Sequence, residues 1–174
     1  MTAIAFRMSA GFPGDVTRTH PCSVMPRMND ATSPVAAVGL ACVFNGSNND
    51  VRGMASGDTA VTVLAGVVVR PFPFQQVTAP TGSFGSAGYS SGANTAPPPQ
   101  VIDVLQSGSI IVPCVGTPNL GGTAYVWVAA TTTGHIQGGF EASSSSGNTA
   151  TLSYAYFNGP GDSNGNAELI INVP

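Results

Sequence analysis

Residues 101–128, VIDVLQSGSIIVPCVGTPNLGGTAYVWV, decide the fold. Ser107-Gly108 and the loop 116–122 divide the stretch into three short apolar runs of strand length. Pro113 removes a ladder donor from the middle run, which predicts a bulge or an edge there. In residues 123–128 the alternation sets Tyr125 and Trp127 on one face and Val126 and Val128 on the other, so both faces are expected to be covered. A strand sealed on both sides belongs in a sandwich, a barrel or an assembly.

The flanking sequence has the same character. Residues 60–70, AVTVLAGVVVR, place Val61, Val63, Ala65, Val67 and Val69 on one face by period-two counting, and Gly66 within the run predicts a bulge or a close backbone approach. Residues 35–44 read as an apolar strand, 45–50 (NGSNND) as a reversal and 51–55 as its return. Asn45-Gly46-Ser47 is a glycosylation sequon in form and a hairpin loop in this reading. Downstream, 149–157 set Leu152, Tyr154 and Tyr156 on one face, and 168–173 alternate Leu169, Ile171 and Val173 against Ile170 and Asn172. No helix start and stop signals frame an apolar stripe, so the whole chain reads as β. The expected fold is all-β: a single β-barrel or β-sandwich domain, jelly-roll-like, over residues 35–174, with long Gly/Ser-rich loops such as 75–100.

At 174 residues the chain has material for one core and at most a small second lobe. Only 7% of its residues are charged while 43% are apolar, against about a quarter charged in ordinary soluble domains. Its surface must therefore be built from hydroxyl, amide and apolar groups, which favours association with other copies or other proteins. All five cations are Arg, the net charge is −3 and no basic stripe exists, so nucleic-acid binding is not expected. The first fifteen residues lack the leader and apolar core of a signal peptide and no run reaches membrane-span length, so a soluble protein made in a cytoplasm is expected. Cys22, Cys42 and Cys114 match neither a zinc signature nor a disulfide framework, and read as free thiols.

Residues 1–34 form the other distinct region. Pro13, Pro21, Pro26 and Pro34 leave no room for an ordinary helix, yet Ile4, Phe6, Phe12, Val16, Val24, Met25 and Met28 carry too much apolar surface for a disordered tail. This predicts an extended N-terminal arm, laid along its own domain or a neighbour because ordering costs about 1–2 kcal/mol per residue. Within it Gly11-Phe12-Pro13-Gly14-Asp15 has the composition of a tight turn.

Catalytic signals are thin. Gly88-Tyr89-Ser90-Ser91-Gly92 matches the nucleophile-elbow pattern, followed in order by Asp103 and His135, but it lies between Gly/Ser repeats and a triple proline, without the strand and helix that such an elbow requires. His20-Pro21-Cys22 has no orienting third group. Asp162 and Asn164 lack the carboxylate count of a calcium loop, and no glycine loop precedes a Lys, since there is none. Tyr125, Trp127, Tyr154 and Tyr156 could form a sugar platform, although core packing is the commoner use of strand aromatics. The expectation is a non-enzymatic protein with no cofactor and no metal.

In order along the chain, AGFPGDVTR, AGVVVRPF, VLQSGSIIVPCVGTPNLGGTAYVWV and AELIINV resemble the structural cement, or decoration, proteins of tailed-bacteriophage heads. The matching positions are residues 11–15, 66–70, 108–112, 121–128 and 169–173, while the loops 75–100 and 142–148 depart from a compact pattern. The resemblance implies a virion structural protein, made in the bacterial host cytoplasm, that sits on the outer surface of the capsid and bridges neighbouring major capsid subunits. It further implies self-association as a dimer or trimer, no nucleic-acid or membrane partner, and contacts through the arm: Arg7, Gly11, Phe12, Pro13, Gly14, Asp15, Arg18 and Arg27. The alternative is a β-sandwich host-attachment or carbohydrate-binding module of a phage head or tail fibre.

Overall fold

One strand, β5 (Val101–Val115), runs for 15 residues and is shared by two closed circuits of strands. The computed structural model describes residues 11–17, 21–46, 50–58, 64–70 and 101–174. Along its first half β5 pairs antiparallel with β1 (Ser23–Asn29) and with β4 (Gly66–Val68). β4 continues to β2 (Ala41–Phe44), β2 to β3 (Asp50–Gly53), and β3 returns to β1 in parallel. Along its second half β5 pairs antiparallel with β9 (Asn166–Asn172) and in parallel with the short β7 (Phe140–Glu141). β6 (Thr123–Trp127) and β8 (Thr149–Phe157) close that ring into a five-strand barrel. The fold is thus all-β, with no α-helix among the described residues.

Each circuit has its own core. The barrel is filled by Ile110, Val112, Val126, Phe140, Leu152, Phe157, Leu169 and Ile171, all essentially inaccessible to water. Val35, Val38, Cys42, Val51, Val68, Ile102 and Val104 fill the smaller circuit. Ala41, Val43, Val67 and Leu105 come from strands of the smaller circuit and Leu64 from the segment leading into β4, but all five pack into the barrel's cluster. These strands are therefore apolar on both faces, and their sequence shows continuous runs instead of clean alternation.

Glycines mark where the sequence periodicity fails. Ser107-Gly108, expected to end a strand, lies within β5: Gly108 takes φ +136° where the strand passes from one circuit to the other. Gly66 has φ +144°, and a Cβ there would lie 2.2 Å from the Leu105 carbonyl oxygen. Through that close approach Ala65 falls in the small core and Val67 in the large one, so the single face expected for residues 61–69 does not exist; residues 59–63 lie outside the described chain. The strand expected over 35–44 is confined to 41–44 because Gly39, at φ +78°, turns the chain before it. In β8 an irregularity opposite Thr123/Ala124 shifts the phase, so Leu152, Ala155 and Phe157 point inward while Tyr156 faces out. Pro113 causes no bulge: it ends the β9 ladder opposite Asn166, one residue before β7 joins.

In the N-terminal region, Ser23–Asn29 are a strand of the sheet, and residues 14–17 run beside β5 at 109–111, with Val16 bridging Ile110. Arg7, Arg18 and the loop 75–100 lie outside the described residues.

Candidate interaction surface

The turn at residues 11–15 is fixed from within and without. The Phe12 amide donates to Asp15 Oδ2 at 3.2 Å and the Asp15 amide to the Phe12 carbonyl at 3.0 Å. Externally, the Gly14 amide donates to the Ile111 carbonyl at 2.8 Å, and the Ile111 and Arg70 amides donate to the carbonyls of Asp15 and Gly14, each at 2.9 Å. Gly14, at φ +86°, is pressed so closely that a Cβ would lie 2.7 Å from the Arg70 amide nitrogen. Pro13 packs on Gly39, where a Cβ would meet the proline ring at 2.7 Å. Residues 11–15 thus lock onto 38–39, Arg70 and β5.

This locking displays one side chain. Arg70 Nε donates to Asp15 Oδ1 at 2.7 Å, and its guanidinium lies 4.8 Å from the centre of the Phe12 ring. Phe12 is nevertheless 65% exposed, held at the surface by a cation–π contact and a capped turn. Thr17 continues the attachment by donating its hydroxyl to Glu168, whose other oxygen accepts from Asn158.

A second apolar surface surrounds β1. Val24, Met25, Met28, Phe44 and Val101 make up half of the exposed large apolar side chains among the described residues, with Val24, Met28 and Val101 on one face of the sheet and Met25 on the other. Arg27 lies among them with its guanidinium 5.1 Å from the centre of the Phe44 ring, and its Nε is buried without an acceptor.

Among the described residues, those weighed for chemistry do not converge. Asp103 is exposed on β5 opposite Pro26, whereas His135 Nδ1 sits 2.8 Å from Glu141 Oε1 and stacks on Trp127 at 4.2 Å between ring centres. Ser90 lies outside the described residues. Trp127 is only 7% exposed and its Nε1 donates to the Ala130 carbonyl, so it offers no open face to a sugar. Tyr154 is half-buried, its hydroxyl accepting from the Leu64 amide, and burial raises its pKa. Asp162 Oδ1 accepts from the amides of Asn164 and Asn166 and so organises its own loop. Among the described residues no group of three or more His, Cys, Asp or Glu is arranged to hold a metal. Cys42 and Cys114 are buried free thiols whose pKa burial pushes up to about 12, and Cys22 is free and exposed.

The sequence singled out residues 11–15 and Arg27 but missed Arg70, Phe44 and Val101. Arg70 was visible only as the end of an apolar run, and its pairing with Asp15 spans 55 positions.

The described residues form a β body whose apolar side chains are displayed on a capped turn and a surface strand. Comparison with known proteins specifies the class: a family model described as the XM1 gp53 minor capsid protein matches residues 1–171. The chain belongs to the XM1 gp53 minor capsid protein family and is a structural protein of a bacteriophage capsid. Among solved structures, a chain from the capsid of Myoviridae Phage XM1 shares the fold with a TM-score of 0.60 and 15% identity, over 98% of this chain and 95% of that one. No curated protein matches.

Proposed function

We propose that this virion protein binds the outer surface of the capsid, bridges neighbouring major capsid subunits to stabilise the shell, associates with itself, and has no catalytic role. The observation that carries the reading is Phe12, 65% exposed on a turn that its own body holds rigid. An aromatic ring fixed in advance loses little entropy on docking, and aromatic and Arg side chains dominate interface energetics. Phe12, with Gly11, Pro13, Gly14 and Asp15 shaping its presentation, is the capsid contact in this reading. Arg7 and Arg18 extend it along the arm, and Arg27 serves a second partner contact. Many identical weak contacts suffice, because a ligand that binds only the mature lattice stabilises it by mass action.

The test uses purified particles carrying wild-type protein, Phe12→Asp, or a chain lacking residues 1–10. The ratio of this protein to the major capsid subunit and the temperature of DNA release are measured. Both variants are expected to lower the ratio and the release temperature. Unchanged occupancy and stability in both would refute the proposal.

A further inference from the structure

We infer that β1 and its surroundings form a two-fold interface with a second copy of this chain. The inference deepens the self-association in the reading above by giving it a surface and a symmetry. Its first support is apolar. Val24 and Met28 lie on one face of β1 and Met25 on the other, and all three are exposed. Val101, 60% exposed, is the cross-strand partner of Met28. From Ser23 to Arg27 the side of β1 away from β5 has no strand partner among the described residues, since β3 pairs only with Met28 and Asn29. A partner approaching that edge reaches both faces. Pro26, which has no N–H, interrupts any ladder there, so side chains must make the contact.

The second support is charge. Among the described residues, Asp15 and Asp58 form ion pairs with Arg70 and Arg52, and Glu141 is hydrogen-bonded to His135. Asp30 and Asp162 bind backbone amides, and Glu168 binds Thr17 and Asn158. Among the described residues three charged side chains remain without a hydrogen-bond or ion-pair partner: Arg27, Asp50 and Asp103. All three lie on the ladder around β1, with Asp50 opposite Met28 and Asp103 opposite Pro26. The acids share the Met28 face and Arg27 lies on the Met25 face, so an edge with an unpaired cation on one face, unpaired acids on the other and exposed apolar side chains on both is complementary to itself when two copies meet edge to edge, which is the requirement of an isologous contact. Across a two-fold, Arg27 of each copy meets an acid of the other, while Met28 and Val101 are covered. A foreign partner would have to supply both signs, whereas a second copy already carries them.

The purified full chain is tested by sedimentation across a range of concentrations, without capsids, so that failure here leaves the capsid reading separately testable. Wild type is expected to form a dimer. Arg27→Glu and Met28→Asp should each weaken it more than tenfold, and Met28→Asp, whose side chain is exposed, should leave the melting temperature nearly unchanged. An Asp50→Lys/Asp103→Lys double variant should weaken it likewise, and mixing that variant with Arg27→Glu should restore dimers. A wild-type chain that stays monomeric to about 1 mM, a trimer, or a dimer indifferent to Met28→Asp would overturn the inference. So would a monomer whose Met28→Asp variant loses capsid occupancy, because the surface would then belong to a capsid subunit.

Discussion

Replacing Gly14 by Ala tests whether the 11–15 turn is fastened to the body as described. Gly14 has φ +86°, a conformation that costs an L-residue about 1–2 kcal/mol. The added Cβ would also lie 2.7 Å from the Arg70 amide nitrogen and 3.1 Å from Val38 Cβ, so the turn must lift. Lifting loses the Gly14–Ile111 and Arg70–Gly14 backbone hydrogen bonds, each worth about 1 kcal/mol net. The total is about 3–4 kcal/mol. Gly121 provides the control: it has φ +74°, but no atom lies within 4 Å of its Cβ position, so Gly121→Ala should cost only the conformational term. Both substitutions lower the entropy of the unfolded chain equally, and that contribution cancels in the comparison. Equilibrium urea unfolding should separate the variants by about 2 kcal/mol, and thermal melts by roughly 4–8 °C for a chain of this size. Equal losses would show that the turn is not docked and would refute the reasoning. Gly14→Ala should also reduce capsid occupancy, because Phe12 loses its fixed position.

Three further outcomes follow from the same contacts. The guanidinium of Arg52 beside Asp58 holds that carboxyl below its usual 3.8; the folded value is the lower one, so the stabilisation is present above about pH 4 and fades as pH falls through the folded pKa. Asp58→Asn should therefore cost up to about 1 kcal/mol at pH 7 and flatten the acid limb of a stability–pH profile. Under native conditions iodoacetamide should label Cys22, while Cys42 and Cys114, buried and held near 12, react only after denaturation, as mass spectrometry of the labelled peptides would show. His135→Ala leaves the buried Glu141 carboxylate without its ring partner and uncovers Trp127, so a loss of about 1–3 kcal/mol should accompany a red shift in tryptophan emission.

The elements legible in the sequence are those whose environment is uniform. Residues 167–171 alternate because β9 has one buried face, and Ala167, Leu169 and Ile171 occupy it. The hairpin from 41–44 to 50–53 was announced by the Asn/Gly-rich residues between its strands. Illegible were the places where one strand serves two cores. Residues 64–68 are buried without a break because neighbours cover both sides, and the positive φ of Gly66, pressed against the Leu105 carbonyl, puts Ala65 and Val67 in different clusters. Local periodicity carries no signal for this, since the covering residues come from distant parts of the chain. The candidate site divides in the same way. The turn at Gly11–Asp15 is a local signal and was read, whereas its docking on Gly39, Arg70 and Ile111 is a long-range fact. Met25, Met28 and Phe44 were visible only as apolar residues in need of cover, and Arg27 as a cation in need of a partner.

The low charge content takes on a specific meaning in this light. Six of the eight acidic residues fasten loops or turns to the body: Asp15, Asp30, Asp58, Glu141, Asp162 and Glu168 each accept hydrogen bonds from nearby amides, side chains or a paired cation. Charge in this chain is mostly consumed in holding loops still, and little is spent on solvation. A protein that worked alone in solution would need the opposite allocation, with acids and bases spread over its surface to resist association. The two acids left over, and the one arginine without an acid or hydrogen-bond partner among the described residues, collect around β1, beside its exposed methionines. A capsid protein that is rigid in its turns and unsatisfied at one strand is built to be completed by contact, and that strand is where contact should be sought.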